Sequence, residues 1–303
     1  MDYRDERLEP SRYRVIRWFG FDRFKPEKAV TSYWVSSKTF LAIRLVVTLY
    51  STIVIWADIA TTAMGEGGFS HFFAFFTNLT YVGLHAYLVT ATYHHVRYLM
   101  SNPRRPSSFL DQPTILNYLY VYLYHTVIVY NILTPVVFWA VLAKPLTSGQ
   151  SSSLQSASET SNSVVPQHMT TISWWMECSV HAASFFMMMS EVIFSRMQVY
   201  INMILFVFFT VVLYMFLTFI IFAVDHFWVY PFLDWSQGGM AAVWYIVVGV
   251  IVVVFFFLQM LFHWIRNRIA RKLGRAEYSP EAIEFAQQNR QEMAQRNEES
   301  FSY

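Results

Sequence analysis

Six apolar stretches, each long enough to cross a bilayer as a helix, constrain this chain more than any other feature. They cover 40–60, 72–96, 115–142, 172–194, 200–224 and 241–263. A bilayer core about 30 Å thick is crossed by roughly 20 helical residues, and a helix pairs its backbone polar groups within one segment. The sequence therefore predicts an all-α integral membrane protein with six transmembrane helices.

The positive charges predict how this bundle is oriented. Of the 22 Lys and Arg residues, 20 lie in 1–38, in 97–114, at Arg196 or beyond 263. Basic residues in short loops are retained in the cytosol, so both termini are predicted to be cytosolic. Arg44 lies near the cytosolic end of the first stretch, from where we expect it to snorkel towards the headgroups.

The predicted organisation has three parts. Residues 1–38 form a cytosolic basic arm, 39–265 a six-helix membrane domain, and 266–303 a polar cytosolic tail. A Ser/Thr-rich segment at 145–171 is expected to be a lumenal loop. The chain contains no glycine-rich phosphate loop, CxxC pair or HExxH sequence, so we expect no metal, no cofactor and no nucleic-acid partner. The expected location is the endoplasmic reticulum or the plasma membrane.

Ionisable side chains within the apolar stretches are the first candidates for a functional site, because burying them in lipid costs free energy. His181 carries an imidazole, which is rare in a membrane span, and Glu177, one helical turn before it, could orient its ring. Thr77 lies at a similar depth on the second helix, where a threonine most often bonds its own helix backbone. Asp225 and His226 end the fifth stretch on the same side of the membrane.

Three motifs resemble the androgen-induced family of multipass membrane hydrolases. The first is FFTNLT at 75–80, the second is His181 followed ten residues later by Glu191, and the third is FWVYPFLD at 227–234. The resemblance covers about residues 39–265. The chain departs from the family pattern at Glu177, Cys178 and Phe186, where members often have Asn, His and Pro.

The resemblance implies a lipid ester hydrolase acting on fatty acid esters of hydroxy fatty acids. Thr77 would be the nucleophile and His181 the general base, in a site reached by membrane lipids. We expect five residues to support them: Asn78, Glu177, Asp225, His226 and Tyr230.

Two other functions remain open on the sequence alone. Histidine pairs at His71 and His85, and at His168 and His181, have a spacing that could hold two haems of an electron carrier. A non-enzymatic transporter or scaffold would instead use the polar residues to line a path through the bundle.

Overall fold

All regular secondary structure in the described part of the chain is helical. The computed structural model describes residues 11–65, 69–101, 104, 106–142 and 171–275. Most of the predicted loop at 145–171 and the tail beyond 275 lie outside these ranges, as do residues 1–10 of the predicted basic arm.

Six long helices form the bundle, and their positions follow the six apolar stretches. They are α1 (Ser37–Met64), α2 (Phe76–Met100), α3 (Thr114–Val137), α4 (171–194), α5 (Ile204–Asp225) and α6 (Gly239–Lys272). A π-helical turn, Phe138–Leu142, extends α3, and a second one, Ser179–Ala183, interrupts α4. Short helices connect the long ones, including Pro26–Val30 before α1 and Pro231–Leu233 between α5 and α6.

Four helices are long and apolar enough to cross a membrane: Ser37–Met64, Thr114–Val141, Ile201–Asp225 and Gly239–Lys272. They indicate an integral membrane protein. The other two long helices are less apolar or less continuous. α2 carries three histidines and four threonines, and its apolar side chains pack mainly inside the bundle. α4 is divided by its π-helical turn.

α3 is the central helix, and α5 and α6 lie at the periphery. α3 contacts α2, α4, α5 and α6. In the most apolar segment of α3, 72% of the residues are buried, whereas in that of α5 only 11% are buried. The outer face of α5 exposes Leu205, Phe209, Phe216 and Ile220 at helical spacing. Apolar side chains on a surface of this kind suit lipid rather than water.

The first and last described segments meet at one end of the bundle, which we call the basal end. The Arg275 side chain donates to the Trp34 carbonyl at 3.2 Å, and the Trp34 indole donates to the Ile193 carbonyl at 2.8 Å. The segment before α1 is part of the core here, since Phe24 and Val30 are fully buried. The opposite end, where α2 begins and α3 ends, is the distal end.

A buried ion pair joins α1 to α4 near the basal end. Arg44 Nε and Nη2 donate to the two carboxylate oxygens of Glu191 at 2.7 and 2.6 Å, and both side chains are almost wholly buried. Arg44 also contacts the carbonyls of Ala29 and Ala91. The expectation that Arg44 snorkels outward is therefore wrong, because an internal carboxylate and carbonyls replace the water that its guanidinium would otherwise seek.

Candidate active site

An apolar cavity of about 190 Å³ lies at the distal end between α2, α3, α5 and α6. Its walls are mostly aliphatic and aromatic, with hydroxyl groups from Thr77, Thr134 and three tyrosines. The peripheral side is formed where α5 and α6 approach closely. A Cβ added at Gly249 would make an ordinary van der Waals contact with the Phe208 ring at 3.4 Å. The cavity suits an acyl chain better than a polar solute.

Thr77 lies in the first turn of α2, on the wall of this cavity. The Tyr230 phenol, which comes from the loop between α5 and α6, lines the same cavity and lies beside the start of α2. The amide N–H of Phe76 contacts two phenol oxygens, those of Tyr214 and Tyr230, each at 3.1 Å. These contacts hold the start of α2 against α5 and against the loop.

The two phenols differ in where their protons go. The Tyr214 hydroxyl donates to the Ala74 carbonyl at 2.8 Å, so its proton is committed. The Tyr230 hydroxyl accepts from Phe76, and its own proton can point to Tyr214 as well as to Thr77, since both hydroxyls lie near it. Burial raises the pKa of Tyr230, which keeps the phenol protonated at neutral pH.

His181 lies in the π-helical turn of α4 and is packed against α3. Its imidazole stacks on the Phe138 ring with centroids 3.7 Å apart and planes 3° from parallel. Nε2 lies 3.1 Å from a carboxylate oxygen of Glu177. Nδ1 is buried and has no partner among the described residues. A carboxylate on one nitrogen and an open second nitrogen is the arrangement that a general base needs.

Phe138 connects these two parts of the site. Phe138 lines the cavity, as Thr77 does, and its ring stacks on the His181 imidazole. The described side chains include no hydrogen bond between Thr77 and His181. The hydroxyl and the imidazole are thus not a preformed pair: Thr77 lines the cavity, and His181 lies on the other side of Phe138 from it. Catalytic hydrogen bonds often form only when substrate is bound.

Three of the predicted supporting residues lie away from the cavity. The Asn78 amide donates to the Phe72 carbonyl at 2.9 Å and so holds the turn before α2. Asp225 lies 3.5 Å from His71, with both side chains nearly half exposed. His226 ends α5 with a left-handed φ of 57° and is exposed. The structure therefore places Thr77 and Tyr230 on the cavity wall, and it places the Glu177–His181 pair against Phe138.

The histidines of the haem hypothesis have other neighbours. His71 is paired with Asp225, and His85 Nδ1 lies 3.0 Å from the Ser51 hydroxyl. His168 lies outside the described residues. Over the ranges that the structure describes, no group of three or more His, Cys, Asp or Glu residues is placed to hold a metal ion.

Sequence reasoning missed Phe138 and Tyr214, which link the parts of this site. The chain is 19% aromatic, so an aromatic residue within an apolar stretch carries little information about function. Pro135 just before the π-helical turn was the one local signal of irregular helix geometry near Phe138.

No family model, no curated protein and no solved structure matches this chain. The geometry and the chemistry of the site therefore carry the functional conclusion.

Proposed function

We propose that this protein is a membrane-embedded lipid ester hydrolase with Thr77 as nucleophile and His181 as general base. One observation carries the proposal: Thr77 and Tyr230, two residues with hydroxyl groups, line the same end of a largely apolar cavity. That cavity is bounded by α5 and α6, the two most apolar of the membrane-length helices. An acyl chain entering between these helices would bring its ester to Thr77. The resemblance to the androgen-induced family points to the same residue.

The reaction divides into two acyl transfers. Thr77 Oγ1 attacks the ester carbonyl carbon and forms a C–O bond, while its proton passes to His181 Nδ1. The tetrahedral intermediate collapses, and the leaving alkoxide takes that proton and departs as the hydroxy fatty acid. Water then attacks the acyl-threonine ester with His181 as base. The acid product leaves, and Thr77 regains its proton.

Glu177 and Tyr230 have separate tasks in this scheme. Glu177 holds the Nε2 side of the imidazole and stabilises the positive charge that forms during each proton transfer. The Tyr230 phenol donates to the oxyanion of the tetrahedral intermediate. Because Phe138 lies against both the cavity and His181, substrate binding must displace its ring enough for Nδ1 to reach Thr77.

The bundle is proposed to cross the membrane six times, with α2 and α4 as the two inner, more polar crossings. The basal end carries most of the basic residues and faces the cytosol, and the distal cavity faces the lumen or the outside. The lipid substrate arrives within the bilayer of the endoplasmic reticulum or the plasma membrane.

Hydrolysis of a branched fatty acid ester by purified protein in detergent tests this function. We expect Thr77→Ala to lower kcat by at least about 10³-fold, because the acyl-threonine cannot form without the Thr77 hydroxyl. Thr90→Ala is the matched control, since Thr90 lies on the same helix and its hydroxyl bonds only the Ala86 carbonyl. A hydroxyl-directed acylating probe should label wild type and Thr90→Ala, and not Thr77→Ala.

Two results would overturn the assignment. Equal labelling of Thr77→Ala and wild type would remove Thr77 as nucleophile. Absence of ester hydrolysis in folded wild type across a panel of branched and unbranched lipid esters would leave a transporter or scaffold as the better explanation.

A further inference from the structure

Three cations at the basal end have no carboxylate partner among the described residues. Arg266 donates to the carbonyls of Val192, Ser195 and Met197. Arg196 donates to the Thr31 hydroxyl at 3.2 Å. Lys28 contributes its backbone carbonyl, which accepts the Arg196 N–H at 2.9 Å, and its ammonium group has no ion pair. This arrangement is unlike that of Arg44, which is paired with Glu191.

These cations lie close to one another. The guanidinium carbons of Arg196 and Arg266 are 5.2 and 5.8 Å from the centre of the same Tyr33 ring. These cation–π contacts offset only a small part of the repulsion between the two guanidinium groups, because an aromatic ring carries no net negative charge. Arg196 is about nine-tenths buried, and its Nε has no partner among the described residues.

The positive potential also acts on Lys28. Burial lowers its pKa from 10.5 to about 8, and the charges of Lys25, Arg196 and Arg266 act in the same direction. Glu27 acts in the opposite direction and is outweighed. A largely buried lysine among other cations is stabilised more by a bound anion than an exposed lysine is, because the charges interact more strongly away from water.

A small recess opens beside this cluster and is lined by Lys25, Lys28, Gln198 and Tyr200, together with apolar side chains. Its enclosed volume of about 10 Å³ has room for one oxygen atom. A phosphate group would therefore lie at its mouth, with one oxygen inserted. The recess is at the level where α3 begins and α4 ends, which is headgroup depth for a bundle of membrane-length helices.

We propose that Lys28, in the positive field of Arg196 and Arg266, forms a binding site for a phosphate group at the basal end of the bundle. A phosphomonoester supplies up to two negative charges and several acceptor oxygens, which match the Lys28 ammonium group and the unneutralised charge behind it. The phosphate could belong to a lipid headgroup or to a soluble compound, and both sources present the same chemistry to these residues. The site is separate from the distal cavity and does not depend on its activity.

The test uses the full-length protein in phosphatidylcholine nanodiscs. One arm adds a phosphatidylinositol monophosphate to the discs, and the other adds inorganic phosphate against chloride of equal ionic strength. Binding is followed by the rise in unfolding temperature with ligand concentration. Lys28→Gln removes a cation that has no ion pair, so this variant should fold. Lys38→Gln removes the same charge at an exposed position at the start of α1.

We expect Lys28→Gln to weaken binding by about tenfold and Lys38→Gln by less than about twofold. Stabilisation by the lipid alone identifies a headgroup as the ligand, and stabilisation by both additives identifies phosphate itself. Equal weakening in the two variants would mean diffuse attraction to a basic surface and would overturn the site. No stabilisation of wild type by either additive would also overturn it.

Discussion

Helix α4 contributes the acid to two acid–base pairs, Glu191 with Arg44 and Glu177 with His181. The two pairs differ in how many of their hydrogen-bonding atoms have partners. Glu191 accepts from Arg44 through both oxygens and from Tyr87 at 3.0 Å, and the pair is closed to solvent. Glu177 holds only one nitrogen of His181, is itself one-third exposed, and leaves Nδ1 without a described partner. A pair with all its bonds satisfied fixes helix positions, whereas a pair with an open atom can exchange a proton.

The largest expected effect concerns the closed pair. Glu191→Gln leaves the buried Arg44 charge without a counterion, and we expect it to lower the free energy of unfolding by about 3–5 kcal/mol. Thermal or denaturant unfolding in detergent measures this loss. Glu177→Gln is the matched control and should cost less than about 1 kcal/mol, because that pair is partly exposed.

A second variant separates charge from shape at the closed pair. Replacing Arg44 and Glu191 together by Met should recover most of the lost stability, because no unpaired charge then remains in the interior. A cost below about 1 kcal/mol for Glu191→Gln would mean that water reaches Arg44 and that the pair is not closed.

The open pair is expected to affect catalysis more than stability. His181→Gln should lower kcat for ester hydrolysis by about 10²–10⁴-fold, the range that a general base contributes. Its unfolding temperature should stay close to that of wild type, since the side chain keeps a similar size beside Phe138. Steady-state kinetics with an unfolding curve on the same preparation checks both. Retained activity would remove His181 from the mechanism.

The same distinction applies to the two phenols on the Phe76 amide. Tyr230→Phe removes a hydroxyl that lines the cavity near Thr77, and we expect kcat to fall by about 10²-fold with a small loss of stability. Tyr214→Phe removes a hydroxyl that is already bonded to Ala74, so its main cost should be about 1 kcal/mol of stability. If both variants lost activity equally, the Tyr230 proton would not be the one that stabilises the oxyanion.

A further comparison concerns Lys28, a cation without an ion pair among the described residues. Its pKa is about 8 in the folded protein against an ordinary value of 10.5, so the unfolded chain binds more protons between these values. Stability should therefore rise with pH from about 8 to 10.5. Lys28→Gln should remove this rise, as measured by unfolding at a series of pH values without phosphate. An unchanged pH profile would mean that other groups cause it.

Much of the fold follows from the sequence, since each apolar stretch contains or overlaps one long helix. The apolar pattern of one segment predicts a helix there, and this prediction does not depend on which other helices the segment contacts. The pairing of Arg44 with Glu191 is not local, because 147 residues separate them and periodicity carries no information about partners. Opposite charges at similar depth in two apolar stretches were the available signal.

The sequence indicates which polar residues could form the candidate site and carries no information on their geometry. Thr77, Glu177, His181 and Tyr230 were identified from polarity and from motifs. Their arrangement depends on Phe138 and on the π-helical turn of α4, which shifts the register of every residue after it. Asn78, Asp225 and His226 were selected by their closeness in sequence or depth, and their side chains have other partners.

The separation of Arg44 from Glu191 also has a consequence during synthesis. A ribosome adds about 5–20 residues per second, so Glu191 follows Arg44 by roughly 7–30 s. For that interval α1 enters the translocon with an unneutralised guanidinium. The nascent chain must shelter this charge with water, lipid phosphates or an insertion factor until α4 arrives. Assembly of the bundle is thereby delayed until more than half of the protein has been translated.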